Sequence, residues 1–225
     1  MTEIQALFER IAPIYDRLND QLSFGLHHVW KQMAVDWLEL PKGAAALDLC
    51  CGTGDLTRAL ARQVGRQGRV VGLDFAKAPL AIARQRSCHY SQIEWVEGNA
   101  LAVPCADQTF QGITIGYGLR NVSDIPQALS EMFRLLIPGG RAAILDFSHP
   151  QTPALQQFQQ WYLQQWVVPT ARQYGLAAEY DYLWPSIQAF PTPPTLCDLI
   201  QKAGFQRVTH YPLLGGLMAI TIAQK

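Results

Sequence analysis

Apolar and polar positions follow two rhythms along the chain. Short apolar runs at Ala44 to Cys50, Arg69 to Asp74, Ile93 to Glu97, Phe110 to Gly116 and Ala142 to Phe147 read as buried strands. Stretches of helical period lie between them, at Asp55 to Val64, Lys77 to Arg86 and Asp124 to Leu136. Strands that alternate with helices of about 10 to 15 residues imply an α/β fold, a parallel sheet covered on both faces. Pro138-Gly139-Gly140 reads as a helix stop followed by re-entry into a strand. Residues 1 to 40 read as helical, with a break near Asn19 to Gly25. From Gln151 to Val168 a helix carrying Leu155, Phe158, Trp161, Tyr162 and Trp166 on one side interrupts the alternation. Thr195 to Ala203 resumes a helix, and Gln206 to Leu213 and Met218 to Ala223 read as strands joined through Gly215-Gly216. So short a joint permits only an antiparallel pair.

Composition narrows the chemistry. The 225 residues form one domain, divided into an N-terminal helical cover (1 to 40), a ligand-binding half (41 to 147), a lid insertion (148 to 194) and a closing helix with strands (195 to 225). Lys and Arg number 18 and Asp and Glu 18, so the dense basic field that nucleic acid or an acidic bilayer requires is missing. Helical spacing from Phe8 onward leaves no room for a leader, and a full-length cytoplasmic chain is expected. Five cysteines without a CxxC pair suggest neither a metal site nor a disulfide framework and suit a reducing compartment. Phe147 to Ala171 holds 25 uncharged residues, but with seven Gln and three Pro it reads as a greasy surface and not as a membrane span. The expectation is transient peripheral contact with a membrane. The pattern carries no oligomer signature.

The most informative segment is Leu47-Asp48-Leu49-Cys50-Cys51-Gly52-Thr53-Gly54-Asp55. Glycines between a first strand and a first helix let a ligand approach the backbone at the carboxyl end of the strands. A dinucleotide fingerprint would need glycine at 57, where Thr57 stands, and Asp55 opposes a pyrophosphate at the helix N-terminus. A cationic amino-acid moiety, such as that of S-adenosylmethionine, suits Asp48 or Asp55 instead. Asp74 closes the second strand, where an acidic side chain accepts ribose hydroxyls. Asn99, with Ala100 beside it, follows the third strand and offers an amide to an adenine edge. These strand ends, with Gly52, Thr53 and Gly54, point to S-adenosylmethionine binding.

Further segments resemble a known family. Phe8-x-x-Ile11-Ala12-Pro13-x-Tyr15-Asp16, Ser23-Phe24-Gly25-x-His27-x-x-Trp30-Lys31, Gly118-Leu119-Arg120-Asn121-Val122 and Tyr182-Leu183-x-x-Ser186-Ile187 are similar to the UbiE/MenG quinone-biosynthesis C-methyltransferases, along essentially the whole chain. Cys50-Cys51, Ile115-Gly116-Tyr117-Gly118 and Leu145-Asp146-Phe147 resemble the phylloquinone branch, in cyanobacteria and plastids. The resemblance implies a class I, Rossmann-like methyltransferase fold, with a seven-stranded sheet whose last strand is antiparallel. It also implies C-methylation of a prenylated naphthoquinol, 2-phytyl-1,4-naphthoquinol, with S-adenosylmethionine as cofactor. Where bacterial ubiquinone and menaquinone members carry Ser, Gly116 offers the cofactor only backbone.

Methyl transfer to carbon needs an electron-rich ring, so the acceptor is expected as the reduced quinol, sharpened as a hydroxyl proton leaves. Phenolic groups ionise near pH 10, which calls for a base or a positive charge beside the oxygen. Arg120 is the candidate charge, always protonated and oriented by Asn121; its structural alternative is an ion pair with a carboxylate. Tyr15 and Asp16 would fold over the cofactor, Tyr15 offering its ring to the sulfonium. His149 and His210 are candidate proton acceptors. Trp161, Tyr162, Trp166, Tyr182, Trp184 and Phe190 either line a groove for an apolar tail or form ordinary core. Competing functions are a menaquinone- or ubiquinone-type C-methyltransferase, a phenolic O-methyltransferase, and a non-catalytic cofactor-binding subunit.

Overall fold

A computed structural model describes residues 3–12, 14–176 and 180–225, and the side chain of Tyr15 lies outside the described residues. Three helices come first, α1 (Glu3–Ile11), α2 (Tyr15–Ser23) and α3 (Leu26–Asp36). The alternating part follows as β1 (Ala45–Leu49), α4 (Asp55–Val64), β2 (Arg69–Asp74), α5 (Lys77–Arg86), β3 (Ile93–Glu97), β4 (Phe110–Gly116), α6 (Ile125–Leu135) and β5 (Leu136–Phe147). Then come α7 (Pro153–Tyr162), α8 (Val168–Arg172), α9 (Leu183–Ala189), α10 (Pro193–Lys202), β6 (Arg207–Leu213) and β7 (Met218–Gln224).

The sheet order is β3-β2-β1-β4-β5-β7-β6. The first five are parallel, and β7 runs antiparallel to both β5 and β6. Side chains alternate between faces with period two. Leu47, Leu49, Ile113, Ile115 and Ile144 pack with Leu129 and Met132 of α6 and Ile200 of α10. Ala46, Val70, Ala143 and Leu145 face the other way, onto Trp30 and Val35 of α3 and Leu56 and Leu60 of α4. A third cluster joins Ile11 and Leu18 to Leu163, Val167 and Ile187, so the N-terminal helices pack against the helical segment between β5 and α10.

The structure departs from the sequence pattern at three places. Pro138-Gly139-Gly140 does not separate α6 from a strand: α6 ends at Leu135, β5 begins at Leu136, and the tripeptide bulges within it. The register skips from Phe110↔Leu136 to Gly112↔Arg141, and Gly139, at φ 79°, donates its N–H to the carbonyl of Lys225 at 2.9 Å. The N-terminal helices break twice and not once: α1 ends at Ile11 and α2 begins at Tyr15, and α2 then runs through Asn19 to Ser23 before the chain turns at Phe24 and Gly25, both left-handed. The glutamine-rich helix is not uniform either: Leu163–Val167 form a π-helical turn between α7 and α8. Pro169 follows it and lacks the N–H that would bond to the carbonyl of Gln165, so a widened turn here fits the local chemistry.

Candidate functional site

The parallel strands end in a row at one side of the sheet, where a cavity of about 730 Å³ opens. Its floor begins with the turn after β1, in which Cys50, Gly52 and Gly54 all take positive φ. A side chain on Gly52 would meet nothing within 4 Å, so the backbone there is open to a ligand. Gly54 does not line the cavity as the sequence suggests. It turns toward Trp95, whose Cη2 would stand 2.5 Å from any added Cβ, so its role is the turn and its close packing.

Asp74, 5% exposed at the end of β2, accepts the N–H of Gly52 at 2.8 Å and that of Ala76 at 2.9 Å. Burial raises its carboxyl above the ordinary value against these bonds. Asn99 and Ala100 line the cavity after β3, although Asn99 Oδ1 accepts the N–H of Leu101. Thr53 faces the cavity and donates its hydroxyl to Asp16 of α2 at 2.7 Å, which also pairs with Arg86. Glu9 of α1 accepts the N–H groups of Lys77 and Ala78 at 2.6 and 2.9 Å, so α1 and α2 are tied over the strand ends.

Both acidic residues expected to receive an amino group are already engaged. Asp48, fully buried, accepts the hydroxyls of Thr57 at 2.6 Å and Thr114 at 2.7 Å, and burial pushes its carboxyl up to about 6. Asp55 pairs with Lys31 at 2.7 Å and with Arg58, whose charges hold its carboxyl down against burial. Lys31, partner of Asp55 and itself a cavity residue, was missed as a site residue, although it sits in the Trp30-Lys31 segment that carries the resemblance.

Beyond β4, Tyr117 at φ 58° leads into a 3₁₀ turn, Leu119–Asn121. Arg120 Nη1 donates to the carbonyl of Tyr117 at 2.6 Å and meets Asp146 Oδ1 at 3.2 Å, with the guanidinium 5.3 Å from the Phe147 ring. The ion pair weighed against an active role therefore exists. The arginine also lines the cavity, and its Nε is buried without a partner among the described residues. Asn121 Nδ2 donates to the same carbonyl at 3.0 Å, and its Oδ1 accepts the hydroxyl of Tyr182 at 3.0 Å. Gly116 lines the cavity by backbone, since a Cβ there would lie 2.5 Å from Leu56.

Tyr117, Arg120, Asn121 and Tyr182 also form a wall of a second cavity, about 280 Å³ and mostly apolar. Leu163 and Val167 of the π turn line it, as do Tyr162 and Trp30, while Phe24, Leu26, Phe158 and Leu214 line it and are exposed, forming its mouth. Of the six aromatics weighed for an apolar tail, Tyr162 and Tyr182 reach this cavity, Trp161 and Trp166 are exposed, and Phe190 is core. His149, bonded to the carbonyl of Phe190, and His210, bonded to Thr221, line neither cavity.

This sheet order, with its ligand cavity at the carboxyl ends of the strands and an antiparallel closing pair, defines a Rossmann-like methyltransferase. The chain belongs to the ubiE/COQ5 methyltransferase family, whose model matches residues 1–225. It is 89% identical, over the whole of both chains, to the 2-phytyl-1,4-naphtoquinone methyltransferase of Thermosynechococcus vestitus. It is 46% identical to the chloroplastic 2-phytyl-1,4-beta-naphthoquinone methyltransferase of Arabidopsis thaliana, across 99% of this chain and 87% of that one. A SAM-dependent methyltransferase structure from Thermotoga maritima shares the fold at TM-score 0.67 and 20% identity, covering 98% and 99% of the two chains. One from Aquifex aeolicus does so at TM-score 0.62 and 17% identity, covering 86% and 88%.

Proposed function

We propose that this methyltransferase uses S-adenosylmethionine to methylate a ring carbon of 2-phytyl-1,4-naphthoquinol, giving phylloquinol. One observation carries the reading: a cavity at the strand ends lined by Asp48, Asp55, Asp74 and Asn99 and a more apolar one beneath the lid meet at Tyr117, Arg120, Asn121 and Tyr182. A ligand seated in each would bring its reacting end to that wall.

The residues fit the cofactor. The open backbone of Gly52 admits the ligand closely, Asp74 keeps lone pairs for ribose hydroxyls, and the side-chain amide Nδ2 of Asn99 and the buried Ala100 suit an adenine. Thr53 and Gly116 close the floor, and Asp48 and Asp55 act in their ion-pair and hydroxyl networks, shaping the place of the amino-acid part. When bound, the cofactor supplies an electrophilic methyl group on a sulfonium.

Arg120 supplies the positive group beside the reacting oxygen. Its charge is partly balanced by Asp146, so its unpartnered Nε–H acts as a fixed donor that lowers the cost of a naphtholate. Asn121 shares the carbonyl that holds Arg120 and orients Tyr182. The apolar cavity excludes water and receives the start of the tail, each buried CH₂ contributing about 0.8 kcal/mol. We further infer peripheral membrane contact through the exposed Phe24, Leu26, Phe158 and Leu214 at the cavity mouth, from a reducing, cytosol-like compartment that suits five free cysteines. Among the described residues no helix is long and apolar enough to cross a membrane.

The test is an assay of the purified chain with S-adenosylmethionine and demethylated phytyl naphthoquinone, with and without reductant. Ring-methylated product with reductant alone is expected. A methyl on oxygen, or cofactor binding without product, would overturn the reading. Arg120→Lys, which keeps the charge opposite Asp146 but loses the guanidinium fork, should lower kcat on the order of 100-fold with cofactor Kd unchanged. Unaltered turnover would remove Arg120 from the reaction.

A further inference from the structure

Three polar side chains, Asp20, His27 and His28, meet at the start of α3. His27 is 2% exposed and lines the apolar cavity, yet its Nδ1 is buried without a hydrogen-bond partner among the described residues. Its Nε2 lies 2.9 Å from Asp20 Oδ1. The same oxygen lies 2.8 Å from Nε2 of His28, and the side chains of Asp20 and His28 are 52% and 59% exposed. Polar atoms thus run from the wall of the apolar cavity to solvent.

A buried ring nitrogen left unpaired is costly unless a ligand completes it. A carboxylate can only accept, so the His27 Nε2 that faces Asp20 carries its proton, which leaves Nδ1 of the neutral ring a bare acceptor. The surroundings favour that neutral ring: burial, then the charge of Lys31, hold His27 below the usual histidine value against the pull of Asp20. The other groups facing it are His28 on its own helix and Asp55 on α4. Arg120, Tyr162, Tyr180 and Tyr182 share its cavity.

We infer that His27 accepts the hydroxyl proton of the quinol, with Asp20 positioning the ring and its solvent-facing side giving the proton a way out past His28. The inference rests on the quinol acceptor proposed above. The O–H bond breaks with its pair left on oxygen, and an Nδ1–H bond forms. The ring carbon then takes the methyl, the S–CH₃ pair staying on sulfur. The C–H proton moves to oxygen and restores the quinol, so one proton leaves per turnover, carried off by the imidazolium.

The whole chain, with S-adenosylmethionine and anaerobically reduced 2-phytyl-1,4-naphthoquinol, tests this. His27→Gln should lower kcat on the order of 100-fold at pH 7, with cofactor Kd within about twofold. The deficit should shrink toward about pH 10, where the quinol ionises unaided. Asp20→Asn should lower kcat about tenfold and move the acid limb of the profile to lower pH, because the carboxylate that raises the His27 pKa is gone. Turnover of His27→Gln near the wild-type rate, or a deficit unchanged at high pH, overturns the assignment. A second measurement needs no turnover: adding the quinol should move the ¹⁵N resonance of His27 Nδ1, and adding the oxidised quinone, which has no O–H, should not. Absence of movement with the quinol also overturns it. Failure of the wild-type chain to methylate the quinol sinks the proposed function, and the nitrogen resonance still decides on His27.

Discussion

Asp48 shows how a residue can be found and its circumstances missed. An acidic group near the end of a first strand is visible in the sequence, but the hydroxyls that consume it belong to Thr57, in the first turn of α4, and Thr114, on the neighbouring strand. Pairing across a sheet brings together residues 66 positions apart, which no local pattern records. The same holds for Lys31 and Asp55, whereas Gly52 and Asp74 were legible because a tight turn and a strand end impose local demands. The burial of Asp48 has a thermodynamic sign. With its carboxyl raised from 3.8 to about 6, the folded chain holds this proton more tightly than the unfolded one. The stability it contributes is therefore present at low pH, is lost as pH rises through that interval, and is constant above it. Asp48→Asn removes the buried charge, so relative to wild type the variant should gain up to about 3 kcal/mol between pH 4 and pH 8 in urea unfolding. A difference that does not vary with pH would contradict the raised carboxyl.

At the scale of elements, the seven strands were legible because alternation and short apolar runs bounded by glycine are local signals. What failed was junctions. The Pro138-Gly139-Gly140 bulge looks like a helix stop because proline and glycine end helices and interrupt strands for the same steric reasons; only pairing with β4 and the bond to Lys225 separate the cases. The docking of α1 on the N-terminus of α5 was equally hidden, since Glu9 reads as one more exposed acid on an amphipathic helix. Its carboxylate spans two free N–H groups at the positive end of α5. Glu9→Ala should cost about 1 kcal/mol of stability. It should also raise the dissociation rate of S-adenosylhomocysteine several-fold in stopped-flow measurements, because α1 loses its tie over the strand ends. An unchanged rate would mean that α1 does not retain the ligand.

The whole molecule carries 18 basic and 18 acidic groups and shows exposed apolar side chains on the side where the second cavity opens. Phe24 is 75% exposed, Trp161 56% and Leu214 52%, and two of these three line the cavity itself. A neutral protein with such a rim should bind zwitterionic vesicles nearly as well as anionic ones, with little dependence on salt. Phe24→Ser with Trp161→Ser should reduce co-sedimentation with phosphatidylcholine vesicles several-fold. The pair should raise KM for a vesicle-borne phytyl acceptor, but not for a short-tailed acceptor in solution. Equal losses for both acceptors would place these residues in the reaction rather than in delivery. Ile11, at the end of α1, belongs to the wall of both cavities. Any displacement of that helix that lets a spent nucleoside out also alters the walls around the lipid acceptor, so renewal of one ligand and shelter of the other are mechanically joined.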